Sequence, residues 1–96
     1  MIAPTKPKPF ALGQVVATRG ALAAIEEAGQ SPIEFLIRHV RNDWGEVCAE
    51  DWAQNDAAVA DGDRLHSTYR TALGVRLWVI TEARRDVTTI LLPDEY

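Results

Sequence analysis

Three closely spaced segments near the C-terminal end constrain the fold more than any other feature of the sequence. In the first, residues 64–71, polarity alternates, so that Leu65 and Tyr69 fall on one side and His66 and Arg70 on the other. Alternation with a period of two, rich in threonine and tyrosine, is typical of a half-buried β-strand. The sequence therefore predicts a strand here.

The two segments that follow complete the predicted sheet. Residues 75–82 are apolar on both sides in the middle, which indicates a central strand covered on both faces. Residues 87–92 form the third predicted strand, and Pro93 ends it because proline has no N–H to donate to a neighbouring strand. The connections are short, with Gly74 in the first, so an antiparallel meander is expected.

The chain before this sheet contains signals for a strand and three helices. A short edge strand is predicted over residues 13–17 and a first helix over residues 19–28. The third helix is predicted over residues 49–60, before Gly62.

The second of the three helices has the clearest start signal. Ser31 can cap it and Pro32 suits its first position, while Glu34 would complete a capping box. Its expected buried stripe has the spacing i, i+3, i+4, i+7 and consists of Ile33, Leu36, Ile37 and Val40.

These elements predict an α+β fold, with an N-terminal edge strand and three helices packed on a C-terminal three-stranded antiparallel meander. Residues 1–9 contain three prolines and two lysines without an apolar pattern, so they are predicted to form a disordered arm. Residues 10–96 are predicted to form a single domain.

Composition and charge exclude several functional classes. From residue 10 onward, eight arginines face fourteen carboxylates, a net charge of −6, which does not favour general nucleic-acid binding. Cys48 is the only cysteine and no histidine spacing is typical of a metal site, so neither a metal nor a cofactor is expected. No membrane span or signal peptide is predicted, and the default compartment is the cytoplasm.

Residues 43–63 carry seven acids and no lysine or arginine. Such a uniformly negative stretch can attract a partner protein with a basic surface, although it can also serve only as a solvated helix face. The predicted partner-binding residues are Asp43, Glu46, Glu50, Asp51 and Asp56.

A second group of residues is polar but lies within apolar patterns. These residues could line a pocket between helices and sheet, or they could form a buried hydrogen-bond network that supports the turn at residues 42–45. The group consists of His39, Trp44, Asn55, Ser67, Tyr69 and Thr81.

An enzyme remains the alternative hypothesis. Helices followed by an antiparallel sheet are found in barnase-like and RelE-like ribonucleases, which need a base, an acid and arginines for the phosphate. The candidate residues for that chemistry are Glu82, His66, Arg70 and Arg76. Cross-strand charge pairing on a solvated face is the simpler interpretation of these residues.

Several short segments also resemble a known group of proteins. They are Arg38–His39, Asp43–Gly45, Asp51, Asn55–Asp56, Gly62–Arg64, Ser67, Tyr69, Thr81–Glu82 and Thr88–Pro93, with Glu95 and Tyr96 at the end. Together, over residues 10–96, they resemble the small hypothetical "plasmid-related" proteins of bacterial plasmids and integrative elements. The resemblance implies a genomic setting, that of a mobile genetic element, and no reaction. Together with the acidic stretch of residues 43–63, this setting predicts an accessory protein that acts by binding another protein, for example as an inhibitor of a host defence system.

Overall fold

The computed structural model of this protein describes residues 9–96, which adopt an α+β fold. Except for Pro9, the predicted disordered arm lies outside the described residues. The elements, in order, are β1 (Gln14–Ala17), α1 (Arg19–Glu27), α2 (Pro32–Val40), α3 (Ala49–Asp61), β2 (Leu65–Arg70), β3 (Arg76–Thr81), β4 (Val87–Leu91) and a short 3-10 helix (Pro93–Glu95).

The four strands form one sheet in the order β1-β4-β3-β2. The predicted antiparallel meander is present, because β3 pairs antiparallel with both β2 and β4. The sheet as a whole is mixed, since β1 pairs parallel with β4, with Val15 beside Thr88. Parallel pairing requires a long crossover, and here everything from α1 to β3 separates the two strands along the chain.

Local chemistry explains where the helices begin and end. The Thr18 hydroxyl accepts a hydrogen bond from the Ala21 amide at the start of α1. Ser31 caps α2 as predicted, but its hydroxyl accepts from the Ile33 amide and not from that of Glu34. Gly62 ends α3 in the left-handed conformation that glycine adopts without strain.

The prediction of which side of α2 is buried is wrong, because the helix is rotated relative to the predicted stripe. Ile33 and Ile37 are 59% and 40% exposed, whereas Phe35 and His39 are buried. The sheet decides this rotation, because Phe35 packs 5.8 Å from the Tyr69 ring and His39 finds hydroxyl partners on the strands. Hydrophobic spacing alone does not contain that information.

The main core lies between α1, α2 and one face of the sheet, the helix-covered face. Ile25 and Phe35 pack there against the central strands. A smaller cluster of Trp44, Ala58 and Leu65 packs where α3 lies beside β2. The alternation of β2 is confirmed, since Leu65, Ser67, Tyr69 and Thr71 are all buried.

The opposite face of the sheet, the second face, is only partly covered. The predicted double coverage of β3 is found at Ile80, which is 2% exposed, but Trp78 on the same face is only half-buried. The 3-10 helix contacts β3, and Tyr96 packs against Trp78 with ring centroids 5.7 Å apart. This face therefore retains an accessible region. Within residues 9–96, no helix has the length and apolar character needed to cross a membrane.

Candidate functional site

A groove runs between α3 and the second face of the sheet, with a volume of about 670 Å3. We refer to it as the α3 groove. Its wall is one side of α3, formed by Asp51, Gln54, Ala57, Ala58 and Asp61; its floor is formed by His66, Thr68, Arg76 and Trp78; its ends are formed by Glu46, Val47, Asp63 and Arg64.

The floor of the α3 groove is aromatic. The half-buried Trp78 ring contacts the His66 ring edge-to-face, with centroids 4.5 Å apart. Arg64 donates to the Tyr96 hydroxyl over 2.6 Å, next to the same tryptophan. Aromatic surface with a flanking guanidinium offers both apolar contact and a directed hydrogen bond.

His66 is held neutral at the base of this groove. Burial lowers its pKa from the ordinary value, and the nearby positive charge of Arg64 lowers it further, while Asp51 acts in the opposite direction. Its Nε2 atom is buried without a hydrogen-bond partner among residues 9–96. An unpaired buried nitrogen is costly, so a ligand or water that reached this atom would be stabilised there.

The groove lies next to the β2 edge of the sheet, where other parts of the chain bond to the outward backbone groups. Asn55 on α3 accepts from the His66 amide over 3.1 Å and donates to the His66 carbonyl over 2.9 Å. Further along, Thr68 donates to the Trp44 carbonyl over 3.0 Å and accepts from the Glu46 amide over 2.7 Å. The outward backbone groups of β2 are therefore satisfied at both positions.

The five predicted partner-binding acids differ in their surroundings. Asp43 pairs with Arg38 over 2.8 Å, and that hydrogen bond lowers the pKa of Asp43. Glu46 pairs with Arg70 over 2.9 Å. The carboxylate of Asp56 accepts from the Trp44 indole over 2.9 Å.

The remaining acids leave an anionic surface along α3. Glu50 and Asp51 are exposed in its first turn. The structure adds two acids of the same stretch that were not among the five predicted partner-binding residues, Asp61 and Asp63, both exposed and both at the groove. Arg38–Asp43 and Arg70–Glu46 are the ion pairs within residues 9–96, so Asp51, Asp61 and Asp63 have no such partner in that range.

The six predicted pocket residues are all buried, at 6% exposure or less. His39 lies at the centre of a hydrogen-bonded chain, with Nδ1 at 2.6 Å from the Ser67 hydroxyl and Nε2 at 2.9 Å from the Thr81 hydroxyl. The Thr81 hydroxyl is 2.7 Å from that of Thr88, which donates to the Leu12 carbonyl.

The carbonyl at the end of this chain fixes the direction of its bonds as far as His39. Because the carbonyl only accepts, Thr88 donates to it and must accept from Thr81, which in turn accepts from Nε2–H of His39. Burial lowers the pKa of His39 to about 3, so the imidazole is neutral at pH 7. Nδ1 then carries no hydrogen and accepts from the Ser67 hydroxyl. This arrangement matches the structural network that the sequence left open as an alternative.

The other members of the group support the turn at residues 42–45. The Tyr69 hydroxyl donates to the Asp43 carbonyl over 2.6 Å, and burial raises the pKa of Tyr69. Trp44 is fully buried and stacks on Phe10, with centroids 6.2 Å apart. Asn55 alone among the six also contributes to the α3 groove.

The four ribonuclease candidates do not come together in one site. Strand register places Arg70 opposite Arg76, with His66 on the same second face. His66 and Arg76 meet in the α3 groove, but Arg70 is paired with Glu46, and the residues lining the groove do not include Glu82. The candidate base and one arginine thus line the same groove, four residues apart along the strand by register, and the proposed acid is not among the groove residues.

Sequence reasoning missed Trp78 and Arg64 as groove residues, and Tyr96 as the residue that packs against both. A signal for Trp78 was present, since its position in the alternation of β3 puts it on the same side as the charged Arg76. Arg64 and Tyr96 are far apart in sequence, and only the return of the chain after β4 brings them together.

Metal and thiol chemistry find no support in the geometry. Over residues 9–96, no three histidine, cysteine or acidic side chains lie close enough together to hold a metal ion. Cys48 is exposed, and its sulfur accepts from the Asp51 amide at the start of α3, over 3.4 Å. Its observed role is thus that of a helix cap.

Comparison with known proteins adds no relative to this description. A scan against protein-family models, a search of curated proteins and a search of solved structures each found no match. The α3 groove therefore has to be interpreted from its own geometry and charge.

Proposed function

We propose that this protein is a binding module that captures a basic segment of another protein in the α3 groove. The observation that carries the proposal is the combination, in one groove, of three carboxylates without an ion-pair partner among residues 9–96 and a half-buried aromatic floor. Asp51, Asp61 and Asp63 supply the carboxylates, and Trp78 supplies the apolar surface. A segment with arginine or lysine next to apolar side chains would contact both.

The distribution of charge on α3 supports this role over a purely stabilising one. Glu50 and Asp51 in the first turn suit the positive end of the helix dipole. Asp61 is in the last turn, where the dipole disfavours a carboxylate and where α3 has no basic residue. A carboxylate kept in that position does not increase helix stability, so binding is a better explanation for it.

Arg85, which follows β3, partly compensates for the unfavourable negative charge at the C-terminal end of α3. It donates to the Ala58 carbonyl over 3.0 Å and to the Asp63 carbonyl over 2.7 Å. These bonds satisfy carbonyl groups at the end of α3 and leave the Asp63 carboxylate exposed. The C-terminal end of the groove therefore remains available to a cationic side chain.

Binding of a defined peptide tests the proposal. Calorimetric titration with an arginine–serine repeat peptide should show binding that weakens as salt rises, while a glutamate–serine repeat should not bind. Replacing Asp51, Asp61 and Asp63 together by lysine should weaken binding by about tenfold or more. Unchanged melting of the variant would show that the fold is intact.

A matched control separates the groove from net charge. Glu26, Glu27 and Asp94 are exposed and lie outside the groove, so their triple replacement by lysine changes the net charge equally. The control should retain most of the affinity. If the two triple variants bind the arginine peptide equally, attraction is only global and the groove proposal is wrong.

The resemblance to plasmid-related proteins extends this proposal to a biological setting. In that setting the protein is an accessory factor of a mobile genetic element, and its partner is a basic host protein, such as a component of a defence system. The anionic wall of α3 favours basic partner proteins in general and does not identify a particular one.

The ribonuclease alternative rests on one observation: His66, whose Nε2 has no hydrogen-bond partner among residues 9–96, and Arg76 line the same groove. A neutral imidazole can act as a general base. Incubation of mixed RNA with the wild type and with His66→Ala tests it, because cleavage lost in the variant would favour catalysis. Intact RNA with both proteins would remove the enzyme hypothesis.

A further inference from the structure

The edge of the sheet formed by β1 has backbone groups available for another strand. β1 pairs with β4 on one side, and the sheet ends there within the part of the chain that the structure describes. The Gln14 amide donates to Asp86 over 2.9 Å and the Thr18 amide donates to Ile90 over 3.0 Å. Because alternate residues bond to the same side, Val15 and Ala17 direct their N–H and C=O groups outward.

The side chains of this strand are apolar and accessible. Val15 and Val16, on opposite faces of the sheet, are 41% and 39% exposed. No charged residue or proline occurs from Gly13 to Thr18. Exposed sheet edges are normally protected by charges, prolines or a covering segment, and β1 has none of these within residues 9–96.

The strand is complementary to a second copy of itself. In an antiparallel pair centred on Val16, Val15 of one copy lies opposite Ala17 of the other, and each such pair exchanges two hydrogen bonds. Both residues are the ones whose backbone groups point outward. The two Val16 side chains then lie directly opposite each other on the second face, where β-branched pairs pack closely.

We propose that two copies of this chain associate through β1, by antiparallel pairing about a two-fold axis at Val16. The two sheets then continue as one, with the Val16 side chains of the two copies covering each other and Val15 of each copy lying beside Ala17 of the other. The occupant is a second copy because register, hydrogen-bonding groups and apolar side chains all match under this symmetry, as an isologous contact requires. The proposal is independent of the α3 groove.

Concentration-dependent amide exchange of the full chain tests this pairing directly. As the protein is concentrated from about 20 µM to about 1 mM, sedimentation should show a monomer–dimer equilibrium. Over the same series the Val15 and Ala17 amides should become protected. The Gln14 and Thr18 amides, already bonded to β4, should be protected throughout and serve as internal references.

A charge at the centre of the pair should prevent it. Val16→Lys places two ammonium groups opposite each other and should weaken dimerisation by about tenfold or more. Leu73→Lys is the control, because Leu73 is 65% exposed in the loop between β2 and β3 and carries the same charge change. It should dimerise as the wild type does.

Three outcomes would overturn the proposal. The first is a monomer at every concentration. The second is a dimer whose Val15 and Ala17 amides still exchange freely, since it would use another surface. The third is equal dimerisation of Val16→Lys and Leu73→Lys.

Discussion

The two edges of the sheet are treated in opposite ways. At β2, a helix side chain and a turn occupy the outward backbone groups, through Asn55 at His66 and through residues 44–46 at Thr68. At β1, Val15 and Ala17 direct such groups away from β4. One edge is closed by the chain itself, and the other has no covering segment within the part of the chain that the structure describes.

The closed edge depends on a small number of side chains that fit the strand closely. An amide side chain such as Asn55 can satisfy one donor and one acceptor of a backbone unit at once. A turn can do the same only if it approaches the strand without a side chain in the way, which is the role of Gly45. The α3 groove lies beside these contacts, so closure of the edge also positions its wall.

The largest expected effect comes from Gly45→Ala. Gly45 has φ of 76°, and a Cβ atom there would lie 2.0 Å from the Thr68 carbonyl oxygen. The turn would have to leave β2, which should lower the free energy of unfolding by on the order of 4 kcal/mol. Denaturant unfolding measures this loss.

Gly62→Ala is the matched control for that change. Gly62 also has a left-handed φ, of 79°, but a Cβ atom there would meet nothing within 4 Å. Its cost should be limited to backbone strain, about 1 kcal/mol. Equal losses for the two variants would show that the close approach at Gly45 does not hold the edge.

Asn55→Ala opens the same edge at His66. It leaves a backbone N–H and C=O without the partners that Asn55 provides, and should lower the free energy of unfolding by about 2–3 kcal/mol. Amide exchange at His66 should accelerate, while the Thr18 amide at the β1 edge should not. Asn55→Asp retains the acceptor but sets a buried carboxylate oxygen against the His66 carbonyl, so at pH 7 it should be at least as destabilising as Asn55→Ala.

Acid should lower the free energy of unfolding through His39, which is bonded to Ser67 on β2. Because burial lowers the pKa of His39 from 6.5 to about 3, the unfolded chain binds a proton between those pH values that the folded chain does not. Stability therefore falls as pH falls through this range, by about 2 kcal/mol between pH 7 and pH 5.

His39→Gln isolates that contribution. The variant should be less stable than wild type at pH 7, because it loses the bonds to Ser67 and Thr81. Its stability should change much less between pH 7 and pH 5, because the histidine contribution that remains is that of His66, whose pKa burial also lowers. A variant with the same pH dependence as wild type would contradict the assignment of that effect to His39.

Much of the fold was predictable from local pattern. The alternation of residues 64–71 correctly predicted β2 and its buried side, and Ser31 with Pro32 correctly marked the start of α2. These succeed because period-two alternation and helix capping depend on neighbouring residues. The prediction of the buried side of α2 failed because partners on the sheet turn Phe35 and His39 inward.

Less of the candidate site could be predicted from the sequence. The acidic composition of residues 43–63 was evident, yet Asp43 and Glu46 are neutralised by arginines from elsewhere in the fold. The polar group around His39 was recognised as a set, but its members are joined across separations of 28 and 42 residues. Such pairings depend on strand order, which local spacing does not encode.

By itself the sequence determined the α+β class, the C-terminal meander, the helix caps and the negative charge of the helical part. Each of these follows from residues that are neighbours along the chain or from a sum over composition. Only the tertiary structure decided that β1 runs parallel to β4, that β2 is closed by Asn55 and Gly45, and that Asp51, Asp61 and Asp63 at the α3 groove have no ion-pair partner among residues 9–96. The physical reason is that hydrogen bonds and ion pairs between distant segments form only after strand order and helix rotation are set.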